Sequence, residues 1–159
     1  MEKKKYAAQW CLMELSRTYF SKLFAQASYY GLHPGQIPIL GILDKHNGIS
    51  QRELAKMLGV KPSTVTISIQ RLGKNHLVEC RSDEKDKRKS CLYLTQAGQQ
   101  VNQKMNGIME MNEYYMLNGF TEADVSFLKN LLERIIHNIG GIPETIQNDE
   151  ENKGGLYTC

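Results

Sequence analysis

Apolar residues recur along most of this chain at helical spacing, broken by turn formers and by one short stretch with strand character. Phe20, Leu23, Phe24, Ala27 and Tyr30 keep the helical period, with Tyr6, Trp10 and Met13 upstream, and predict a first helix from about Lys5 to Tyr30. Gly31-Leu32-His33-Pro34-Gly35 breaks it. Ile37, Leu40, Ile42 and Leu43 predict a short second helix from Gln36 to His46, with Pro38 early enough in it to be tolerated. Asn47-Gly48 is a turn, and Ile49 adds a short strand. Ser50 with Glu53 has capping-box spacing, Leu54, Ala55 and Leu58 share one face, and Gly59 suits a left-handed helix end. A further helix starts near Pro62, with Val65, Ile69 and Leu72 at i, i+4 and i+7 on its buried side.

The pattern then shortens. Leu77 to Arg81 and Ser90 to Thr95 predict two strands, and the polar run from Ser82 to Lys89 between them suits a hairpin tip. Thr95 caps a long helix from about Gln96 to Met116, whose buried side is marked by Val101, Met105, Ile108, Met109 and Tyr115 or Met116. Gly119 ends it. Thr121 with Asp124 opens the last helix, with Val125, Leu128, Leu131, Leu132, Ile135, Ile136 and Ile139 as its apolar residues, and Gly140, Gly141 and Pro143 stop it. The expected class is mostly α with a small antiparallel β wing. Residues 1–141 are expected to form a single domain, with 142–159 a mobile acidic tail.

The outer face of the Pro62 helix points to function. It carries Ser63, Thr64, Thr66, Ser68, Gln70 and Arg71, with no acidic residue among them. Two helices joined by a short turn, the second with a donor-rich outer face, are a helix-turn-helix signature, and a charged hairpin after them makes it a winged helix. Such side chains reach phosphates and base edges in duplex DNA.

Charge sharpens that picture. The net charge of +3 is modest, but from Lys61 to Ser90 eight Lys and Arg stand against four Asp and Glu. Glu144 to Glu151 holds only acids among its charges. The basic excess therefore sits where it can neutralise phosphate. The first helix is apolar over more than one stripe, so it needs a second surface, which a dimer partner would supply.

Several classes drop out. The N-terminus lacks the pattern of a signal peptide and no apolar run is long enough for a membrane span, so a cytoplasmic protein is expected. The cysteines (Cys11, Cys80, Cys91, Cys159) form no CxxC pair and the histidines are scattered, so no metal site and no cofactor is expected. Cys80 and Cys91 stand in paired strands, where small packing residues are a commoner use of cysteine than a disulfide. No Ser-His-Asp arrangement, phosphate-binding glycine loop or placed carboxylate pair suggests an enzyme.

The chain resembles the MarR family of winged-helix transcription regulators. The residues that carry the likeness are Gly59-Val60-Lys61-Pro62-Ser63-Thr64-Val65-Thr66, Arg71-Leu72, Leu77-Val78, Asp86-Lys87-Arg88, and then Leu92-Tyr93-Leu94-Thr95 with Gly98. Leu32-His33-Pro34 with Gln36 also looks like the family's approach to its second helix. The resemblance runs over nearly the whole chain and fades after about Gly141.

It implies a homodimeric repressor on a pseudo-palindromic operator in double-stranded DNA. About 32–95 would form the winged-helix reader, and about 5–30 and 96–140 the dimerisation helices. Two recognition helices would lie in major grooves and two wings at flanking minor grooves. The DNA-binding residues would be Lys61, Ser63, Thr64, Thr66, Ser68, Gln70, Arg71, Lys85, Lys87, Arg88 and Lys89, with Arg88 at the minor groove. Arg71 would grip phosphate or pair with Asp86 to position the wing.

This sequence departs from the family pattern at three places. Ile67 stands where a polar residue is common, and would touch a thymine methyl or pack inward. Gly73 replaces a helix former. His76 replaces a glycine, leaving Asn75 to carry the left-handed cap.

For control, the resemblance implies a small aromatic or phenolic effector between the dimer helices and the reader. Tyr6, Trp10, Tyr19 and the run from Met105 to Met116 offer adaptable apolar surface, and the dimer core is the other use for them. Some family members sense oxidant through a cysteine in the first helix, where Cys11 stands here, about two turns from Lys3 to Lys5. Control without any ligand is a third alternative. A winged helix that binds protein and no specific DNA is the alternative from another class.

Overall fold

A computed structural model describes residues 7–82 and 90–142. The elements run α1 (Ala7–Ser28), a single 3-10 turn (Pro34–Gln36), α2 (Ile37–Lys45), β1 (Ile49–Ser50), α3 (Gln51–Leu58), α4 (Pro62–Lys74), β2 (Val78–Ser82), β3 (Ser90–Leu94), α5 (Gln96–Met116) and α6 (Glu122–Ile139). Packing divides the chain into two compact units, one ending at Glu113 and the other starting at Tyr114.

The first unit holds the core. Leu23 and Ala27 of α1, Leu32 in the turn after it, Ile39, Leu40 and Leu43 of α2, Leu54 and Ala55 of α3, and Val65, Ile69 and Leu72 of α4 are all buried. Leu77, Val78, Leu92 and Leu94 join them from the strands and Met105 from α5. α1 is tied to α5 by Gln26 and Asn112, whose amides exchange hydrogen bonds of 2.9 and 2.8 Å, and by the Tyr19 hydroxyl, 3.4 Å from Met109 Sδ.

Helix ends follow local chemistry. Ser50 and Glu53 cap each other at the start of α3, and Gly59 (φ 65°) closes it with Val60 N–H donating to the Ala55 carbonyl at 3.1 Å. α1 ends in the same way at Gly31 (φ 69°). At the end of α4 the left-handed position is taken by His76 (φ 55°), not by Asn75 (φ −86°) as expected from the sequence. Leu77 N–H then donates to the Leu72 carbonyl at 2.9 Å. Asn75 has another use: its side-chain amide donates to the Gly31 carbonyl at 2.9 Å, joining the ends of α1 and α4.

The sheet order is β1-β3-β2, antiparallel throughout. Val78 stands opposite Leu94, Cys80 opposite Leu92 and Arg81 opposite Cys91. Cys80 and Cys91 therefore project from opposite faces of the strand pair, the first exposed and the second buried, and no disulfide joins them. Thr95 seals the base of the wing: its hydroxyl donates to the His76 carbonyl at 2.6 Å and accepts from Gly98 N–H at 3.0 Å. A Cβ on Gly98 would fall 2.0 Å from the Leu77 carbonyl oxygen, so only glycine lets α5 start this close to β2.

The second unit holds α6. Thr121 and Asp124 cap it reciprocally, and Gly119 (φ 86°) precedes it. None of its residues is fully buried, and Phe127, Ile136 and Ile139 are exposed.

Candidate nucleic-acid interface

α4 presents two unlike sides. Val65, Ile69 and Leu72 fill the core, while Ser63, Thr64, Ile67, Gln70, Arg71 and Lys74 are exposed and form the other side. Lys61 precedes the helix, exposed and without a side-chain cap bond, so Pro62 alone sets the first turn. No acidic residue lies on α4, and no carboxylate among the described residues pairs with Lys61, Arg71 or Lys74. The donors of this surface are therefore open to an anionic partner.

The other expected readers are placed differently. Thr66 is half-buried, its hydroxyl 3.0 Å from Gln51 Oε1 and 3.1 Å from the Pro62 carbonyl. Ser68 is half-buried too, and its carbonyl accepts from buried Gln36 Nε2 at 3.4 Å. Gln36 in turn accepts from His33 N–H at 2.8 Å, so one amide ties the 3-10 turn to the middle of α4. Ile67 does not pack inward; it is 52% exposed.

Lys85, Asp86, Lys87, Arg88 and Lys89, and with Asp86 the expected pairing to Arg71, lie outside the described residues, as do Lys3 to Tyr6. At the base of the wing Arg81 forms an ion pair with Glu79 and lies over the Tyr93 ring, 4.8 Å from its centroid.

A cleft of about 320 Å³ opens beside the reader, lined by Phe24, Gly31, Leu32, His33, Gln36, Arg71, Lys74 and Asn75. Phe24 meets the His33 ring edge-on at 5.7 Å. The lining has two cations and no carboxylate, so it favours an anion with an apolar body. This cleft leaves little trace in the sequence. Lys74, one turn beyond Arg71, was its only local signal. Trp10, Cys11 and Tyr19, expected near an effector or redox site, are not in its lining; Trp10 is 66% exposed and Cys11 is exposed.

Among the described residues no group of three or more His, Cys, Asp or Glu could hold a metal ion, and no helix is long and apolar enough to cross a membrane.

Comparison with known proteins agrees with this geometry. The MarR family model matches residues 30–89, from the turn after α1 into the wing. Over 68 residues the chain is 37% identical to the HTH-type transcriptional repressor MdtR of Bacillus subtilis, a match covering 43% of this chain and 44% of MdtR, less than half its length. The fold matches the MarR protein of Peptoclostridium difficile with a TM-score of 0.76 at 25% identity, over 87% of this chain and 91% of that one. The matched segment is similar to the MarR family, and the fold is that of MarR winged-helix proteins.

The winged-helix class expected from the sequence follows, and MarR proteins are transcription regulators and not enzymes. The MarR fold is shared with S. aureus MepR, solved as a DNA complex, with a TM-score of 0.74 at 19% identity over 86% of this chain and 99% of that one. Within the MarR architecture α3 and α4 are the helix-turn-helix, and β2 and β3 are the stem of the wing.

Proposed function

We propose that this protein represses transcription in the cytoplasm as a homodimer on a pseudo-palindromic operator. The observation that carries the reading is the exposed face of α4, where Ser63, Thr64, Gln70, Arg71 and Lys74 supply donors that pair with no carboxylate among the described residues. In a major groove Gln70 suits adenine N6 and N7, while Arg71 and Lys61 suit phosphate. Lys85, Lys87, Arg88 and Lys89 would extend the contact to the flanking minor groove, with Arg88 inserted and the lysines on phosphate.

Dimerisation through the terminal helices is supported by apolar surface left open in the single chain. Trp10, Met13, Leu15, Phe20, Phe24 and Tyr29 on α1 and just beyond it are exposed, as are Phe127, Ile136 and Ile139 on α6. Exposed apolar area on this scale is what a subunit interface covers. Repression is supported by the likeness to the repressor MdtR.

Release by a small aromatic ligand, a phenolic acid for example, is supported by the cleft that Phe24 shares with Arg71 and Lys74. A carboxylate there would engage the Arg71 guanidinium and draw it from phosphate.

Titration of a selected duplex at several salt concentrations tests the reading. The logarithm of affinity should fall linearly with that of salt, by about 0.9 for each phosphate neutralised. Arg71→Ala should reduce that slope by about one. Weak binding with no salt dependence would point instead to a winged helix that binds protein.

A further inference from the structure

We propose that Ile67 selects thymine, by packing its side chain against C5-methyl groups in the major groove. The inference deepens the DNA-binding reading and rests on it. At about 100° per residue, Ile67 lies about 200° around α4 from Val65 and from Ile69, the two residues that flank it on the core side. Val65 and Ile69 are buried and Ile67 is 52% exposed, so it contributes little to the core. Its helical neighbours at i−4, i−3, i+3 and i+4 are Ser63, Thr64, Gln70 and Arg71, all exposed. Ile67 is thus the apolar centre of an otherwise polar surface.

A recognition helix sets the residues of its N-terminal part against the base edges, and Ile67 stands in the second turn of α4. A polar side chain there would take a hydrogen bond from a base. Isoleucine can take none, and any base donor or acceptor beneath it would lose water without a partner. The thymine methyl is the feature of the major groove that an apolar side chain fits without that cost. Gln70, one turn on, offers the amide that suits adenine, so the two side chains together favour A·T pairs.

The test replaces each thymine of a pool-selected duplex with deoxyuridine, one position at a time. Affinity is measured for the wild-type chain, Ile67→Ala and Ile67→Val, with circular dichroism to check that each folds. Deoxyuridine removes the methyl and leaves the base-pairing edge intact. At one or two positions per half-site the wild-type chain should lose about fourfold for each methyl removed, the value of one buried methyl group. Ile67→Ala should bind the thymine duplex more weakly by a similar factor and be indifferent to deoxyuridine at those positions. Ile67→Val should keep part of the discrimination. A wild-type chain that binds the duplex but ignores every deoxyuridine overturns this inference alone, as does Ile67→Ala with undiminished discrimination. A chain that binds no duplex in low salt overturns the DNA-binding reading along with it.

Discussion

The Thr66 hydroxyl lies 3.0 Å from Gln51 Oε1, joining the recognition helix to the first turn of α3. Its proton is shared with the Pro62 carbonyl one turn back, at 3.1 Å. The hydroxyl thus links the two helices, and its proton is engaged within the protein.

Thr66→Val should therefore lower stability by about 1 kcal/mol, the usual net worth of one such hydrogen bond. The folded variant should keep operator affinity within about twofold. Chemical denaturation and DNA titration on the same preparation separate the two effects. A variant of wild-type stability that loses base discrimination would make Thr66 a reader after all.

His76 holds a left-handed conformation (φ 55°) that costs a residue with a Cβ about 1 kcal/mol or more and glycine almost nothing. Its backbone bonds, to the Gly73 carbonyl and from the Thr95 hydroxyl, do not depend on its imidazole. His76→Gly should raise the denaturation midpoint, by about 1 kcal/mol of stability. An unchanged or lowered midpoint would mean that the His76 side chain makes a compensating contact.

What was legible in the sequence was local. Ser50 with Glu53, Thr121 with Asp124, Gly59 and Pro62 each act within one helical turn, so spacing alone located the ends of α3, α4 and α6. The core face of α4 was equally legible, because Val65, Ile69 and Leu72 repeat at helical spacing. Features that depend on a second element were not. The hydrogen bond from the Thr66 hydroxyl to Gln51 of α3 is one such feature. Asn75 was the better left-handed candidate by residue type, but its amide is engaged by Gly31 and the strain passes to His76. The cleft joins Phe24 to Arg71 and Lys74, positions that no pattern along the chain connects. The several apolar stripes of α1 were legible too, though not which of them the single chain covers. Only Leu23 and Ala27 are fully buried there, since a helix apolar on more than one stripe cannot cover every side within one chain.

Acid should loosen the start of α6. The hydroxyl of Thr121, and secondly its N–H, donate to the Asp124 carboxylate at 2.7 and 2.9 Å and hold its pKa below the usual carboxylate range. A folded pKa below the unfolded one means the stabilisation is fully present above the unfolded value of about 3.9 and is lost as pH falls through the lower folded value. Asp124→Asn removes that titration. The stability gap between wild type and variant should be constant near neutrality and shrink below about pH 4. A gap that does not change across this range would show that the carboxylate contributes nothing through its charge.

Selecting bound duplexes from a random pool with the purified chain shows whether two α4 helices of a dimer read duplex DNA. The expected product is a pseudo-palindrome whose half-sites are centred roughly 10 bp apart, the spacing of successive major grooves on one face of the duplex. Recovery of nothing above background in low salt, or of sequences with no dyad, would contradict it.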